Sequence, residues 1–566
     1  MAGGHIDRRR AGRFRAGPDG LAHCLTMAIS RGSAARAVIL SLVLCGLSYS
    51  CYVVGMVIVA PAQRRVQFVP DDAFYYLTLA RNFVTQGQWT FDSGVSLTGG
   101  YHPLHAYTLA GLFALEHPSS ERFVELGILV SAFAAVPAAV AAAAFALRSA
   151  RLFPAILILL FLLSRNVSMN LVSAVEWGWV ASLAGLYVLL LSRVRETRAS
   201  VIWPALFAVG LTGSLARTDF GLLPAALLAS TVFAVRSTGR RRLLASAAVG
   251  TGGVATGLAI TLLHNALRTG QVVQSSARMK GLWTSVQGVS TEPFVGILLS
   301  LFGSQAFATR VLSGGLVVLA LVAGFRAFVW PGIPGDRGHA HDRARDEAET
   351  RVIWLGSVLA LSAYTAFYSA NSAPQPWYTS CVMVPLFLAM SLPMNRSRPL
   401  GLVSLTGLTI VALLLGGQVI QARRFLSRPE WPHQASMYSA GLYLRDAALD
   451  GRVGSWNAGI LGYYQGGKVV NLDGLVNNDI FPYARQNRLP EYIDAMSIRY
   501  IVDFEAMLLN EGLRRRGGYD VPSFLARLEP LRRFDDRTHG WRRSTLFRVN
   551  PVMVGSQPRG LPAGGR

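Results

Sequence analysis

AVILSLVLCGLSYSCYVVGMVIVA, residues 37–60, is a run of twenty-four residues without a single charge. As a helix rising 1.5 Å per residue it is long enough to span a hydrocarbon layer of roughly 30 Å. It also outlasts the apolar core of a signal peptide, and the basic tail ahead of it is long for a signal n-region, so it reads as an anchor and not a cleaved leader. Further apolar segments follow at about 123–147, 152–164, 170–192, 201–216, 219–235, 243–264, 306–330, 352–370, 377–393 and 399–420. With the first run they describe an α-helical polytopic membrane protein of about eleven transmembrane helices.

Composition agrees: 52% of the 566 residues are hydrophobic and 15% charged, more apolar material than a soluble core requires. The net charge of +23 would suit a nucleic-acid partner if it formed a surface stripe. Instead the arginines stand in short clusters between apolar runs, where membrane proteins carry orientation signals, so no nucleic acid is expected. The four cysteines (Cys24, Cys45, Cys51, Cys381) have no paired ligand spacing and indicate neither a zinc site nor a disulfide framework.

With the N-terminus inside, the inner loops receive twenty-three arginines and the outer loops before the last span nine basic residues. That bias predicts a multi-pass protein of the cell (plasma or inner) membrane, with a cytoplasmic N-terminus and an extracytoplasmic C-terminus. Tyr101–Glu116 must then stay uncrossed, as a helix in the outer interface. The expected parts are a basic cytoplasmic tail (1–35), a transmembrane catalytic domain (36–422) with a first outer loop (61–122), and a small extracytoplasmic α/β domain (423–566). Strands in that last part are expected at Arg452–Trp456, Lys468–Leu472 and Arg499–Phe504, with helices at Ala435–Leu449 and Leu489–Met496. Pro331–Thr350 reads as a flexible inner linker whose His339 and His341 are solvated.

Reactive groups gather on the outer side. The first outer loop holds PDDAFYYLTLARNFVTQGQWTFDSGVSLTGGYHPLHAY, Pro70 to Tyr107. Asp71 and Asp72 open a helical pattern there. One acid suffices for capping and the helix dipole; two beneath Tyr75 and Tyr76 suggest a carboxylate that takes a proton from an acceptor or helps bind a divalent cation. Tyr101 and His102 are candidates to line the same pocket; His102 and His105, three apart, are a weak metal signal by themselves. Glu176 lies in the apolar Val-Glu-Trp-Gly-Trp, about two turns into a span, and Asp219 stands at an outer hairpin beside Arg217. Charges in such places are partnered or functional. Arg278 and Lys280, after two serines, could hold a phosphate at the bilayer surface or snorkel to ordinary lipid. Trp377 and Tyr378 are either interface-belt aromatics or a stacking surface for a sugar.

The order DD-A-F-Y-Y, T-G-G-Y-H-P-L, an intramembrane glutamate, A-R-T-D, S-x-x-R-x-K-G and P-W-Y resembles the GT-C superfamily of multi-spanning glycosyltransferases. Its members include the protein mannosyltransferases, the aminoarabinose transferases and RgtA/B/C/D-like bacterial enzymes. VGSWNAGILGYYQGGKVVNLDGLVNN, Val453–Asn478, and the following YIDAMSIRYIVDF resemble the tail of a bacterial branch, so that the likeness spans roughly residues 36–505. It implies a polyprenyl-phosphate-linked sugar donor, a lipid, glycan or protein acceptor, and inverting transfer on the outer face. Asp71 and Asp72 then match the family's paired acids, and Arg278 and Lys280 the basic positions near the lipid phosphate. Gly99 stands where an asparagine is expected and His105 where an aromatic is, so specificity is not inherited; relatives differ in metal dependence. The rival reading is a polytopic transporter or lipid flippase, which predicts acids spread through both leaflets and inverted repeats. Here the acids cluster outside and no repeat is visible.

Overall fold

The computed structural model describes residues 18–149, 152–234, 240–302, 307–326, 340–370, 374–396, 402–535 and 543–551. The membrane part is helical throughout. Its elements are α1 (Pro18–Ile58), α2 (Asp71–Gln86), α3 (Pro103–Glu116), α4 (Ser120–Ala134), α5 (Val136–Ser149), α6 (Leu152–Leu162), α7 (Arg165–Leu171), α8 (Trp177–Leu191), α9 (Ala199–Ala216) and α10 (Leu222–Ala234). They continue with α11 (Arg240–Thr269), α12 (Ser275–Gln287), α13 (Glu292–Leu299), α14 (Phe307–Gly324), α15 (Ala340–Ser369), α16 (Thr379–Arg396) and α17 (Leu402–Phe425).

Among the described residues, six stretches are long and apolar enough to cross a membrane unaided: Ser33–Ile58, Ser120–Arg148, Ala199–Ala216, Arg241–Thr269, Glu349–Ser369 and Leu405–Phe425. Two bent pairs raise the number to as many as eight. One is Leu152–Leu162 with Arg165–Leu171, bent by 60°; the other is Ser275–Gln287 with Glu292–Phe302, bent by 117°. Trp177–Leu191, Thr218–Phe233 and Ala308–Gly324 are shorter apolar helices.

Three expectations need correction. The segment 170–192 is not one span, because Ala174 takes a left-handed backbone (φ 54) and Ser131 Oγ donates to the Val175 carbonyl, so helix resumes only at Trp177. Glu176 therefore sits at the outer start of α8, not two turns inside it. The stretch after Asn265 is not a loop but mostly the helices α12 and α13. The basic tail and the inner linker fall largely outside the described residues; where the description resumes, at Pro18 and Ala340, both chains are already helical.

The first outer loop is built as the sequence suggests. α2 begins after Pro70 with two acids in its first turn and stops where Gly87 (φ 73) returns its N–H to the Phe83 carbonyl. α3 opens at Pro103, which needs no N–H partner at that position, and packs against α2.

Beyond α17 the chain forms an α/β domain: α18 (Gln434–Asp446), β1 (Arg452–Ser455), α19 (Ala458–Gln465), β2 (Val469–Asn471), α20 (Leu489–Ala495), β3 (Ile498–Phe504), α21 (Glu511–Gly517), β4 (Leu528–Asp535) and β5 (Arg543–Val549). The five strands run in the order β2-β1-β3-β5-β4, with β2, β1 and β3 parallel and β5 and β4 antiparallel. The three expected strands are present, and β4 and β5 add to them. Asp503 at the end of β3 accepts five hydrogen bonds, from Ser455, Trp456, Asn457 (twice) and Phe504, and so fixes the turn from β1 into α19.

This domain is docked on the first outer loop. The Tyr463 hydroxyl donates to the Ser120 carbonyl at 2.6 Å, Arg81 donates to the Tyr463 carbonyl, and Ser275 Oγ donates to the Leu475 carbonyl at 2.7 Å. A Cβ on Gly459 would stand 2.2 Å from the Asp71 carbonyl oxygen. Gly459→Ala is therefore expected to destabilise the docked state by about 1–3 kcal/mol, read as faster protease cleavage of the chain ahead of α18; unchanged cleavage would show that the contact is slack.

Candidate active site

Asp72, Tyr75 and Tyr76 stand at i, i+3 and i+4 on α2, so one face of the helix carries all three. The two adjacent acids have different surroundings. Asp71 accepts from the backbone N–H groups of Gly459 and Ile460 at 2.9 and 2.8 Å, one on each carboxylate oxygen. These are the first amides of α19, which carry the positive end of its dipole. Asp71 thus clamps the outer domain.

Asp72 is half-buried and, among the described residues, its carboxylate has no hydrogen bond or ion pair. Burial raises its pKa, with the Lys280 ammonium opposing and the charge of Glu176 adding to the rise. A carboxylate that is unpartnered and held nearer neutrality is suited to proton transfer.

Burial pushes Asp71 up to about 7 against its two amide donors, and pushes Asp473 to about 7 as well. The sign for stability follows. The unfolded carboxyl titrates near 3.9, so between about pH 4 and 7 the folded chain holds the Asp71 proton and the unfolded chain does not. The contribution is fully present at low pH and is lost as pH rises through 7. Replacing Asp71 by Asn is expected to flatten the fall in thermal stability over that interval; an unchanged slope would contradict the assignment.

Below Asp72 lies a buried polar cluster. Arg217 donates to Glu176 at 2.8 Å and, through Nε and Nη2, to both oxygens of Asp219 at 2.9 Å. Tyr368 donates to Asp219, and the Tyr368 and Tyr378 rings stack at 4.8 Å. Arg217 lies 4.5 Å over the Tyr378 ring, and Lys280 donates to the Tyr378 hydroxyl. His102 Nε2 stands 3.9 Å from Glu176, while among the described residues the second Glu176 oxygen is buried without a hydrogen-bond donor. Burial drives His102 down to about 4, so its imidazole is neutral at physiological pH. The site is one connected set: Asp72, Lys280, Tyr378, Arg217, Glu176, Asp219 and His102.

Other candidates fall elsewhere. Arg278 donates to Gln271 and covers the Phe481 ring at 4.1 Å, turned from Lys280 toward the outer domain. Two residues apart on a helix, the pair points to different sides. Tyr101 is buried in a stack, 4.4 Å from Trp89, and its carbonyl accepts from Gln274; it shapes the loop. Trp377 and Tyr378 are 5% and 3% exposed, which rules out a lipid-facing belt. His105 Nε2 donates to the Ala174 carbonyl at 3.0 Å, and its ring stands edge-on to Tyr76; it packs the bend before Glu176. The residue that single-site reasoning misses is Asp473, whose signal is the turn-forming Asp-Gly inside the quoted Asn-Leu-Asp-Gly run.

Among the described residues no group of three or more His, Cys, Asp or Glu side chains is arranged to hold a metal.

A cavity of about 830 Å³ opens among α1, α4 to α8, α15 and α16. Val54, Leu171 and Trp177 line its end nearest the site, Phe145 its wall, and Arg148 and Glu196 the opposite end. Trp177 follows Glu176 directly, so the cavity begins beneath the polar cluster.

Comparison with known proteins gives three results. Residues 428–550 match a family model described as a domain of unknown function, DUF8728. Curated protein sequences give no match. Among solved structures, apo ArnT from Cupriavidus metallidurans aligns over 90% of this chain and 98% of its own, at 13% identity and a TM-score of 0.53. The same protein bound to undecaprenyl phosphate aligns over 91% and 99%, with the same identity and score. Such identity speaks to fold alone, and over nine-tenths of its length this chain has the fold seen in ArnT.

Proposed function

We propose that this chain is a membrane glycosyltransferase that moves a sugar from a polyprenyl-phosphate-linked donor to an acceptor on the extracytoplasmic face, with inversion. The observation that carries the reading is the unpartnered Asp72 carboxylate facing Lys280 above an apolar cavity. The acceptor hydroxyl attacks the anomeric carbon, forming a C–O bond, and its proton passes to Asp72. The bond from the anomeric carbon to the phosphate oxygen breaks, and its electron pair leaves with the polyprenyl phosphate. Lys280, anchored by Tyr378, stabilises that developing charge. The cavity takes part of the isoprenoid chain. ArnT, which shares the fold, has been crystallised with undecaprenyl phosphate.

In this reading the apolar segments cross, 170–192 through α8 alone, α3 lies in the outer interface, and the domains divide at about residues 36 and 423. The N-terminus is cytoplasmic and the α/β domain extracytoplasmic, in the cell membrane. His102, Glu176, Asp219 and Tyr378 shape the floor under the sugar.

Sealed vesicles of opposite orientation, given a labelled polyprenyl-phosphate sugar and a water-soluble acceptor, test both the face and the chemistry. Transfer is expected only where the α/β domain meets the added acceptor, with inverted anomeric configuration; retention would eliminate the direct displacement. Lys280→Ala is expected to lower transfer at least tenfold, as befits loss of a donor to a developing phosphate charge, and near-normal rates would move the phosphate elsewhere.

A further inference from the structure

Resting on that function, the outer domain brings two further charged side chains to the site. Asp473 follows β2 in a turn whose Gly474 (φ 76) allows the backbone to pack on α12; a Cβ on Gly474 would stand 2.8 Å from Met279, the residue before Lys280. The Asp473 carboxylate is half-buried, accepts from the Tyr75 hydroxyl at 3.2 Å and from the Leu475 N–H at 2.7 Å, and feels the charges of Asp72 and Asp71. It is therefore tied through Tyr75 to the face of α2 that carries Asp72.

Arg516 of α21 is the second. It is half-buried, and its guanidinium lies 4.5 Å over the ring of Trp283 on α12, one turn beyond Lys280. It is electrostatically coupled to Asp473. Yet among the described residues Arg516 makes no hydrogen bond and no ion pair. A half-buried guanidinium with five donors and a neighbouring carboxylate with free lone pairs stand close enough to feel each other without touching. Opposite charges in that position ordinarily close into a bidentate pair.

A group that bridges the two must donate to the carboxylate and accept from the guanidinium at once. A vicinal diol does both, since each hydroxyl carries one proton and two lone pairs. A phosphate or carboxylate ligand would be repelled by Asp473 and Asp72, and a lone alcohol would satisfy only one partner. We propose that Asp473 and Arg516 form a carbohydrate subsite that binds the acceptor through adjacent hydroxyls, which makes the acceptor a glycan and these two residues determinants of its specificity. The arrangement suits the displacement: Lys280 takes the leaving phosphate, and the subsite holds the nucleophile on the outer-domain side of Asp72.

The test reads binding apart from turnover. Full-length protein in detergent is titrated with a panel of methyl glycosides of hexoses and pentoses, and the Trp283 fluorescence is followed against a Trp283→Phe reference. At least one glycoside bearing a vicinal diol is expected to change that signal. Asp473→Asn and Arg516→Gln should each weaken binding at least tenfold. Arg516 holds no structural hydrogen bond among the described residues, so its variant guards against misfolding as the cause. In transfer assays the same variants should raise the acceptor KM and leave the donor KM unchanged.

No response to any glycoside, an equal response to the corresponding deoxy sugars that lack the diol, or an increase in donor KM would overturn the subsite. Binding that behaves as expected in a protein that transfers nothing from any lipid donor would sustain the subsite and defeat the proposed reaction.

Discussion

Asp72→Asn is expected to lower sugar transfer by about 10²–10⁴-fold, the usual worth of a positioned general base, without loosening the outer domain. The amide keeps the shape of the carboxylate but cannot take the acceptor's proton. No hydrogen bond inside the protein is lost, because Asp72 makes none among the described residues. The contrast with its neighbour is diagnostic. Asp71→Asn keeps one acceptor oxygen but must turn an amide toward the N-terminus of α19, where Gly459 and Ile460 both present donors. It should weaken docking, reduce transfer less, and regain activity as temperature is lowered. Equal losses at all temperatures in both variants would mean that the acids act as a pair. Because burial raises the Asp72 pKa, wild-type kcat/KM should climb with pH as this carboxyl ionises, and that limb should vanish in Asp72→Asn.

The largest stability effect is expected from Arg217→Met. Arg217 is 5% exposed and is the shared partner of Glu176 and Asp219. Removing it leaves two buried carboxylates side by side, and breaking a buried ion pair from one side costs about 3–5 kcal/mol. Among the described residues, the Tyr368 hydroxyl and the Cys381 thiol would remain as donors to Asp219. The expected outcome is a sharply lower unfolding temperature in detergent and little folded protein in membranes. Changing Glu176 to Gln at the same time should recover part of the loss, since one stranded charge goes with it. A single variant as stable as wild type would show that water reaches this cluster freely.

The membrane class could be read from residues 37–60 alone, because a long uncharged run has few other destinations. The paired acids were legible for a similar reason: two carboxylates at one helix start exceed what capping needs. Their separate roles were not, since the amides that occupy Asp71 lie 388 and 389 residues further along the chain. Arg278 and Lys280 illustrate a period error. In a loop, residues two apart can converge on one phosphate, but on α12 they point apart, and only Lys280 reaches Tyr378. Glu176 was placed too deep because nothing in Ser-Ala-Val-Glu announces the left-handed Ala174. β4 is hard to read in the sequence because Arg532 and Arg533 interrupt its apolar alternation, as charges often do on an edge strand, and Arg548 interrupts that of β5 beside it. Asp473 was visible only as part of a turn; its tie to the face that carries Asp72 depends on how the outer domain sits on α2.

The most direct measurement offers membranes containing the wild-type chain or Asp72→Asn a panel of radiolabelled polyprenyl-phosphate sugars with a glycan acceptor, and counts label leaving the lipid. Wild type should transfer label from at least one donor, and Asp72→Asn should lower that rate by at least a hundredfold at equal protein level. Transfer that persists unchanged in Asp72→Asn would contradict the central role given to this carboxylate, and label that stays on every lipid would contradict the reaction itself.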